Sequence, residues 1–344
     1  MDQAPVAGLP SYSVVIPNFN HARYLEAALH AHLGQCVPPL EIIVVDDASS
    51  DGSVAIVERL AADHPCLRLI RLARNCGVNA AINRGLREAR GTYVKISAAD
   101  DVVGASLAAR SLGILARYPT AGFCSCDAAV LAGESGTTQP FPQFLSDRPC
   151  LLLPGDIVRL VRHNLIGFSS NTVLYRRDAL LAAGGFIEDL GWLADSFANY
   201  VLAFRHGACY VPEVLAWFRL LPDSYSARAA RDTQAHREAL YRILDLLQTP
   251  AFHDVAPAFR ASTIVAFMVP SPLRAVPWLL AAPRHRAFLT ARLAARLLCF
   301  GPWSVVRRWI PHRWRRTARR LAARPMRGLL AGRLAHPANG REGA

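Results

Sequence analysis

Three clusters in the first hundred residues have the residue types for ligand chemistry: Asn18-Phe19-Asn20, Asp46-Asp47 and Asp100-Asp101. Adjacent carboxylates such as Asp100-Asp101 suit a hard cation, Mg2+ or Mn2+, which takes oxygen ligands and shares its remaining positions with phosphate oxygens. The same pair could instead complement the N-terminus of a helix starting near Ser106, or stand in solvent. Asp46-Asp47 could accept hydrogen bonds from a base or ribose, or serve the turn that leads into residues 49–53. Taken alone, each pair leaves both alternatives open.

The elements that must position these clusters follow from periodicity. Residues 13–16 are a short β-branched run stopped by Pro17, and Leu25, Ala28, Leu29, His32 and Leu33 then recur at helical spacing. Residues 41–45 are almost uninterruptedly apolar, as in a parallel strand covered on both faces, and Asp46-Asp47 close them. Residues 49–53 carry turn and N-cap chemistry before an amphipathic stretch with Val54, Val57, Leu60 and Ala61. A strand at 67–72, a helix over about 79–89 and a strand at 92–96 complete a β-α-β-α-β-α-β succession. Ligands of open parallel sheets bind outside the carboxyl ends of the strands. Each cluster follows a strand, so the three should converge on one edge.

Farther along, strands are predicted at 122–126, 171–175 and 209–211, with a Pro/Gly-rich loop around 133–155. A helix is predicted within 188–207, where Phe197, Tyr200, Val201 and Phe204 share a face. Beyond about residue 225 the chain reads as helical and then arginine-rich.

The 344 residues, 52% hydrophobic and 19% charged, suffice for a core without disulfides or metal. No apolar run reaches the roughly 18 residues of a spanning helix. Eight cysteines lie scattered, with no C-x-x-C pair and no Cys/His set at zinc spacing, and are read as reduced thiols. Residues 1–13 lack a basic segment followed by an apolar stretch, so no secretory leader is expected and a cytoplasmic location is.

The net charge of +13 is unevenly held: residues 250–344 carry 17 Arg against Asp254 and Glu342, which is +15, and the rest is −2. In residues 303–324, Ile310, Trp314, Ala318 and Leu321 form an i, i+4, i+8, i+11 stripe, with Arg313, Arg315, Arg316, Arg319 and Arg320 mostly elsewhere. Such basic helices, with Trp303, Trp309 and Trp314, suit an anionic membrane surface and a peripheral place on the inner face. A solvated arginine face on an ordinary packing helix is the other reading. No aromatic-interleaved or helix-turn-helix signature accompanies the arginines, so nucleic acid is not an expected partner.

Four segments, in order and spacing, resemble the successive signatures of the family 2 glycosyltransferases. They are Ser13-Val14-Val15-Ile16-Pro17-Asn18-Phe19-Asn20, the run from Glu41 through Asp46-Asp47 to Ser53, Asn75-x-Gly77-x-Asn79-x-Ala81-x-Asn83-x-Gly85, and Ala98-Ala99-Asp100-Asp101. The resemblance covers roughly residues 11–225. It implies an α/β fold of the GT-A type, a doubly wound, mostly parallel sheet flanked by helices, here with a C-terminal α-helical basic extension. The expected division is a flexible start at 1–10, a catalytic domain at 11–225, a helical arginine-rich region at 226–335 and a flexible tail at 336–344. The resemblance also implies a nucleotide-sugar donor, a divalent cation, inversion at the anomeric carbon and a glycan or lipid-linked acceptor.

By position, the resemblance puts Pro17, Phe19, Asn20 and one or both of Asp46 and Asp47 around base and ribose, with Asn75 and Gly77 nearby. Asp100 matches the retained aspartate of the family's D-x-D element and is expected to bind the metal that bridges the diphosphate. The usual first aspartate falls at Ala98, which leaves Asp101 as the other metal candidate. The family's base lies ahead of an amphipathic helix that ends before a glycine and a strand. Counting back from Gly207 reaches Asp195, the candidate base, with Glu188 and Asp189 as fallbacks. Phe218-Arg219-x-x-Pro222-Asp223-Ser224-Tyr225-Ser226 resembles the segment that closes the catalytic domain, with Arg219 for the diphosphate and Leu221 where a histidine is often found. The processive Q-x-x-R-W motif is absent, which points to single additions. Ala98 and Leu221 suggest a second reading, a catalytically impaired nucleotide-sugar-binding or scaffolding protein of the same fold.

Overall fold

The computed structural model describes residues 8–132, 137–141, 146–163, 167–221 and 231–268, with residues 225, 229, 277, 278, 282 and 288. The basic segment 303–324, the tail 336–344, Cys299 and Pro222-Asp223-Ser224 lie outside the described residues.

The first hundred residues alternate as expected: β1 (Tyr12–Asn18), α1 (Ala22–Leu33), β2 (Glu41–Asp46), α2 (Ser53–Asp63), β3 (Leu67–Arg71), α3 (Val78–Glu88) and β4 (Tyr93–Ile96). Then come β5 (Val102–Val103), α4 (Leu107–Arg117), β6 (Phe123–Ala132), β7 (Thr137–Phe141), β8 (Cys150–Leu152) and α5 (Pro154–Arg162). A 3-10 turn at Ser170–Thr172 leads into β9 (Val173–Arg176) and α6 (Arg177–Ala182), and another at Glu188–Leu193 leads into α7 (Ala194–His206) and β10 (Ala208–Arg219). The helices α8 (Thr233–Leu246) and α9 (Ala256–Ser262) follow.

One sheet runs β3-β2-β1-β4-β9-β6-β10-β5, with β7 beside β6 and β8 beside β10. The pairs around β1 and β2 are parallel. The strand β9 lies antiparallel to both β4 and β6, while β6 and β10 are parallel, so β1 to β4, β6 and β10 share one direction. Side chains alternate between two cores: Val15, Ile43 and Val45 join one and Val14, Ile16, Ile42 and Val44 the other. Both faces are covered, which is why these strands are nearly all apolar. Leu240, Ile243 and Phe259 of α8 and α9 enter the first core alongside Phe197 and Phe204.

Three local expectations change. The strand β1 continues through Pro17, which pairs with Val45. Odd-numbered residues of β1 turn their backbone groups toward β4, whose last paired residue is Ile96 opposite Val15, so the missing N–H of Pro17 falls beyond the paired part of β4. The loop around 133–155 contains β7, which folds back on β6 as a hairpin, β8, which pairs with the distant β10, and the start of α5. The helix within 188–207 starts only at Ala194, because Gly191 holds a left-handed φ of 53°.

At the amino end of the sheet the buried Glu41 accepts from the Ser13 hydroxyl (2.9 Å), the Arg90 backbone N–H (2.8 Å) and the guanidinium groups of Arg68 (2.9 Å) and Arg90 (3.3 Å). Burial alone would raise its carboxyl, but these donors and charges together hold it below the usual range.

Candidate active site

The loops after β1 and β2 are stitched to each other. Asn18 donates to Asp46 (2.9 Å) and to the Ser49 hydroxyl (3.1 Å), and the Ser49 backbone N–H donates back to Asp46 (3.0 Å). Asn20, at φ 57°, accepts from the Ser50 N–H (2.8 Å), and Ala48 takes φ 63°. For alanine that conformation costs about 1 kcal/mol, a strain supported by the surrounding bonds. Asp51 serves the starts of two helices: it accepts from the Ser53 N–H of α2 (3.0 Å) and from the Ala22 N–H of α1 (2.9 Å). Phe19 is 41% exposed between these loops. Asp46, Ala48, Ser49, Arg71, Leu72 and Ala73 line a crevice of about 410 Å³ at the carboxyl end of β2 and β3.

Both oxygens of the buried Asp47 are used by the loop before α3, accepting from the Cys76 N–H (2.7 Å) and the Gly77 N–H (2.8 Å). Asn75 also accepts from Gly77 N–H (3.1 Å). Gly77 has φ 91° and ψ 157°, a region essentially restricted to glycine. The rest of the motif supports a distant segment: Asn79 donates to the Gly191 carbonyl (2.7 Å), and Asn83 donates to the Phe186 carbonyl (2.8 Å) and accepts from its N–H (2.9 Å). Gly85 admits Val15, which a side chain would meet at 2.4 Å. The motif therefore holds the segment that precedes α7 and Asp195.

Asp100 and Asp101 separate in role. Asp101 is buried and accepts from the Arg219 N–H (3.2 Å), whereas the carboxylate of half-buried Asp100 has no hydrogen-bond partner among the described residues. Neither caps α4, whose N-cap is Ser106. Burial, and then the charge of Asp100, push Asp101 up to about 7. Arg219 donates to the Asp100 carbonyl (3.0 Å) and lies over the ring of Tyr24 (5.0 Å), which links this pair to α1.

Asp195 begins α7 half-buried and accepts from the Ser170 hydroxyl (2.8 Å). Burial raises its carboxyl above the usual range, although Ser170 and Ser196 act the other way. Next to Ser170, the side chain of Asn171 stands close enough to Asp101 to favour its ionised form, against burial and the charge of Asp100. One turn thus lies beside both acidic centres. Glu188 and Asp189 are exposed, and Asp189 pairs with Arg242 (3.3 Å). The Tyr225 hydroxyl is raised by burial and by the nearby charge of Asp195.

Asp100 and Asp101 fit a divalent cation. An unpartnered carboxylate stands beside one whose ionisation is opposed by burial and repulsion. The described residues contain no group of three His, Cys, Asp or Glu able to hold a metal, so diphosphate and water would supply the other ligands. The seven described cysteines are all free.

A sheet of this order with carboxylates gathered at the carboxyl edge beside a crevice defines a GT-A-type architecture. Residues 13–180 match the profile of Glycosyl transferase family 2 and form a domain of that family. It is 31% identical over 219 residues to an uncharacterised protein of Mycobacterium tuberculosis, covering 60% of this chain and 66% of the relative. It is 35% identical over 92 residues to the putative teichuronic acid biosynthesis glycosyltransferase TuaG of Bacillus subtilis, covering 27% of this chain and 36% of the relative. The matches thus span only 36% to 66% of these relatives' own lengths. Among solved structures the fold matches S. aureus TarS 1–349 with UDP-GlcNAc (TM-score 0.66, 18% identity, 83% of each chain). It also matches the mannosyltransferase PcManGT of Pyrobaculum calidifontis with GDP-Man and Mn2+ (TM-score 0.57, 24% identity, 95% of this chain and 89% of the other).

Proposed function

We propose that the protein is an inverting glycosyltransferase that moves a sugar from a nucleoside-diphosphate donor to a hydroxyl of a glycan or lipid-linked acceptor. The observation that carries this reading is the hydrogen bond from the Ser170 hydroxyl to Asp195 in a turn whose next residue, Asn171, stands beside Asp101. Asp195 takes the proton of the acceptor hydroxyl as that oxygen attacks the anomeric carbon, and the diphosphate leaves on the opposite side. Burial raises its carboxyl, the direction that makes a carboxylate a stronger base. Asp100, with Asp101 behind it, holds Mg2+ or Mn2+, which when bound offsets charge on the departing diphosphate. Arg219 supplies a second positive charge there. Base and ribose occupy the crevice lined by Asp46 and Arg71, beside the loop that carries the exposed Phe19.

The TuaG resemblance supports a place in cell-envelope polysaccharide biosynthesis. No described helix is long and apolar enough to cross a membrane. The arginine pattern of residues 303–324 supports peripheral docking, which sedimentation with anionic vesicles, compared with a chain lacking residues 303–344, would test.

Thermal-shift screening of UDP-, GDP- and dTDP-sugars with and without Mn2+ should find a donor that raises the midpoint, followed by transfer that Asp195→Asn abolishes. Ala98, where the family carries an aspartate, favours the second reading of a binding or scaffolding protein. Donor binding with no turnover of any of these sugars would select it.

A further inference from the structure

We propose that Lys95 is a positioning residue for the transfer reaction: by holding the turn Ser170–Thr172 through backbone carbonyls, it sets the spacing between Asp195 and the Asp100-Asp101 pair. The inference rests on the assignment of Asp195 as base.

Lys95 lies in the middle of β4, all four residues of which are buried, and is itself 0% exposed. Its ammonium donates to the carbonyls of Ile96 (2.7 Å), Asn171 (3.0 Å) and Ser170 (3.3 Å). Three donors meet three acceptors, so the group is committed to the backbone and has none left for a ligand. One of those carbonyls belongs to the strand that leads to Asp100, and the other two belong to the turn.

Ser170 donates to Asp195, and Asn171 stands beside Asp101 and favours its ionised form, so the two turn residues whose carbonyls Lys95 binds are the two that adjoin the acidic centres. The turn is also closed from within: the Thr172 hydroxyl donates to the Ser169 carbonyl (2.7 Å), and the Ser169 hydroxyl to Asn171 (2.7 Å). From β6, Ser125 and Thr172 share a hydroxyl pair (3.0 Å). It is therefore one rigid piece, tied to β4 at its far end by the β4–β9 pairing that begins at Leu174 opposite Lys95, and at Ser170 and Asn171 by the ammonium.

A neutral side chain of similar length would leave converging buried carbonyls without a donor. The planar fork of arginine does not gather three acceptors around one point as an ammonium does. The chain has one lysine among 39 basic residues, and it stands here.

The test uses the full chain and the nucleotide sugar that the Mn2+ screen identifies, with nucleoside diphosphate release as the signal. Lys95→Gln and Ser170→Ala should each lower kcat about 10- to 100-fold, the scale of a displaced reacting group, while donor KM moves less than about threefold. Asn171→Ala should instead raise the Mn2+ concentration for half-maximal activity. The double variant Lys95→Gln/Ser170→Ala should be no slower than Lys95→Gln, because both act through one turn. Lys95→Arg should not rescue. A folded Lys95→Gln within about twofold of the parent kcat, or a fully additive double variant, overturns the proposal. If Lys95→Gln does not fold, Ser170→Ala and Asn171→Ala decide, and normal kcat and Mn2+ dependence in both overturns it. An active Asp195→Asn overturns the base assignment itself, whereas an inactive Asp195→Asn beside a fully active Lys95→Gln overturns only the role of Lys95.

Discussion

The two edges of the sheet treat buried carboxylates in opposite ways. At the amino edge, Glu41 is surrounded by four donors and its carboxyl is held low. At the carboxyl edge, Asp101 is raised to about 7, Asp195 is raised as well, and Asp100 has no hydrogen-bond partner among the described residues. The first arrangement stabilises the fold without a ligand. The second leaves acidic groups that gain from a cation or a proton, which is how functional sites depart from full internal satisfaction.

Four substitutions would break or sharpen this contrast. The largest effect is expected from Asp195→Asn, which should reduce transfer by about 10²- to 10⁴-fold, the range of a general base, with donor binding by calorimetry preserved. Asp100→Ala should come next, lowering turnover about 100-fold and removing the Mn2+ response of both activity and thermal shift. Neither should lower the melting midpoint of the ligand-free protein, and a large drop would mean that the carboxyl edge is structural after all.

The amino edge should behave conversely. Glu41→Ala should cost about 2 kcal/mol, seen as a midpoint lower by about 4–8 °C, while kcat at 20 °C stays normal. Because the folded carboxyl of Glu41 is depressed, its contribution is present above the unfolded value of 4.5 and fades as pH falls below it, so parent and variant midpoints should converge in acid.

The smallest effect has the opposite sign. The folded carboxyl of Asp101 is raised from 3.8 to about 7, so its ionisation destabilises the ligand-free fold increasingly across that interval, and fully above it. Asp101→Asn should therefore raise the midpoint more at pH 8 than at pH 5. Equal shifts at the two pH values would show that Asp101 is not held in this raised state.

Much of the parallel half could be read from the chain because its strands and helices are local: the apolar run 41–45 and the helical spacing from Leu25 each declare themselves within a few residues. The strand β8 could not, since it exists through pairing with the distant β10. Proline at position 17 misled for the same reason: whether a missing N–H matters depends on which neighbour has ended. At the site, Asp46, Asp47, Asp100 and Asp195 were visible by type and by the motif order around them. Ser170, Asn171 and the support from Asn79 and Asn83 were not, because their partners lie 25 to 112 residues away. The available signals were a lone lysine inside the apolar strand Tyr93–Ile96 and the places of Asn79 and Asn83 in the third motif.

By itself the sequence determined which residues carry charge and which segments alternate between strand and helix, because residue type and period are local properties. It therefore determined that three motifs follow three strands. Only the tertiary structure decided how they are used: Asp47 is committed to the Cys76–Gly77 backbone, Asp101 is turned inward to Arg219, and Asp195 is held by Ser170 of a turn that stands beside Asp101. The physical reason is that a carboxylate's role depends on its donors, its burial and its neighbouring charges, and here all three come from chain segments far apart in sequence.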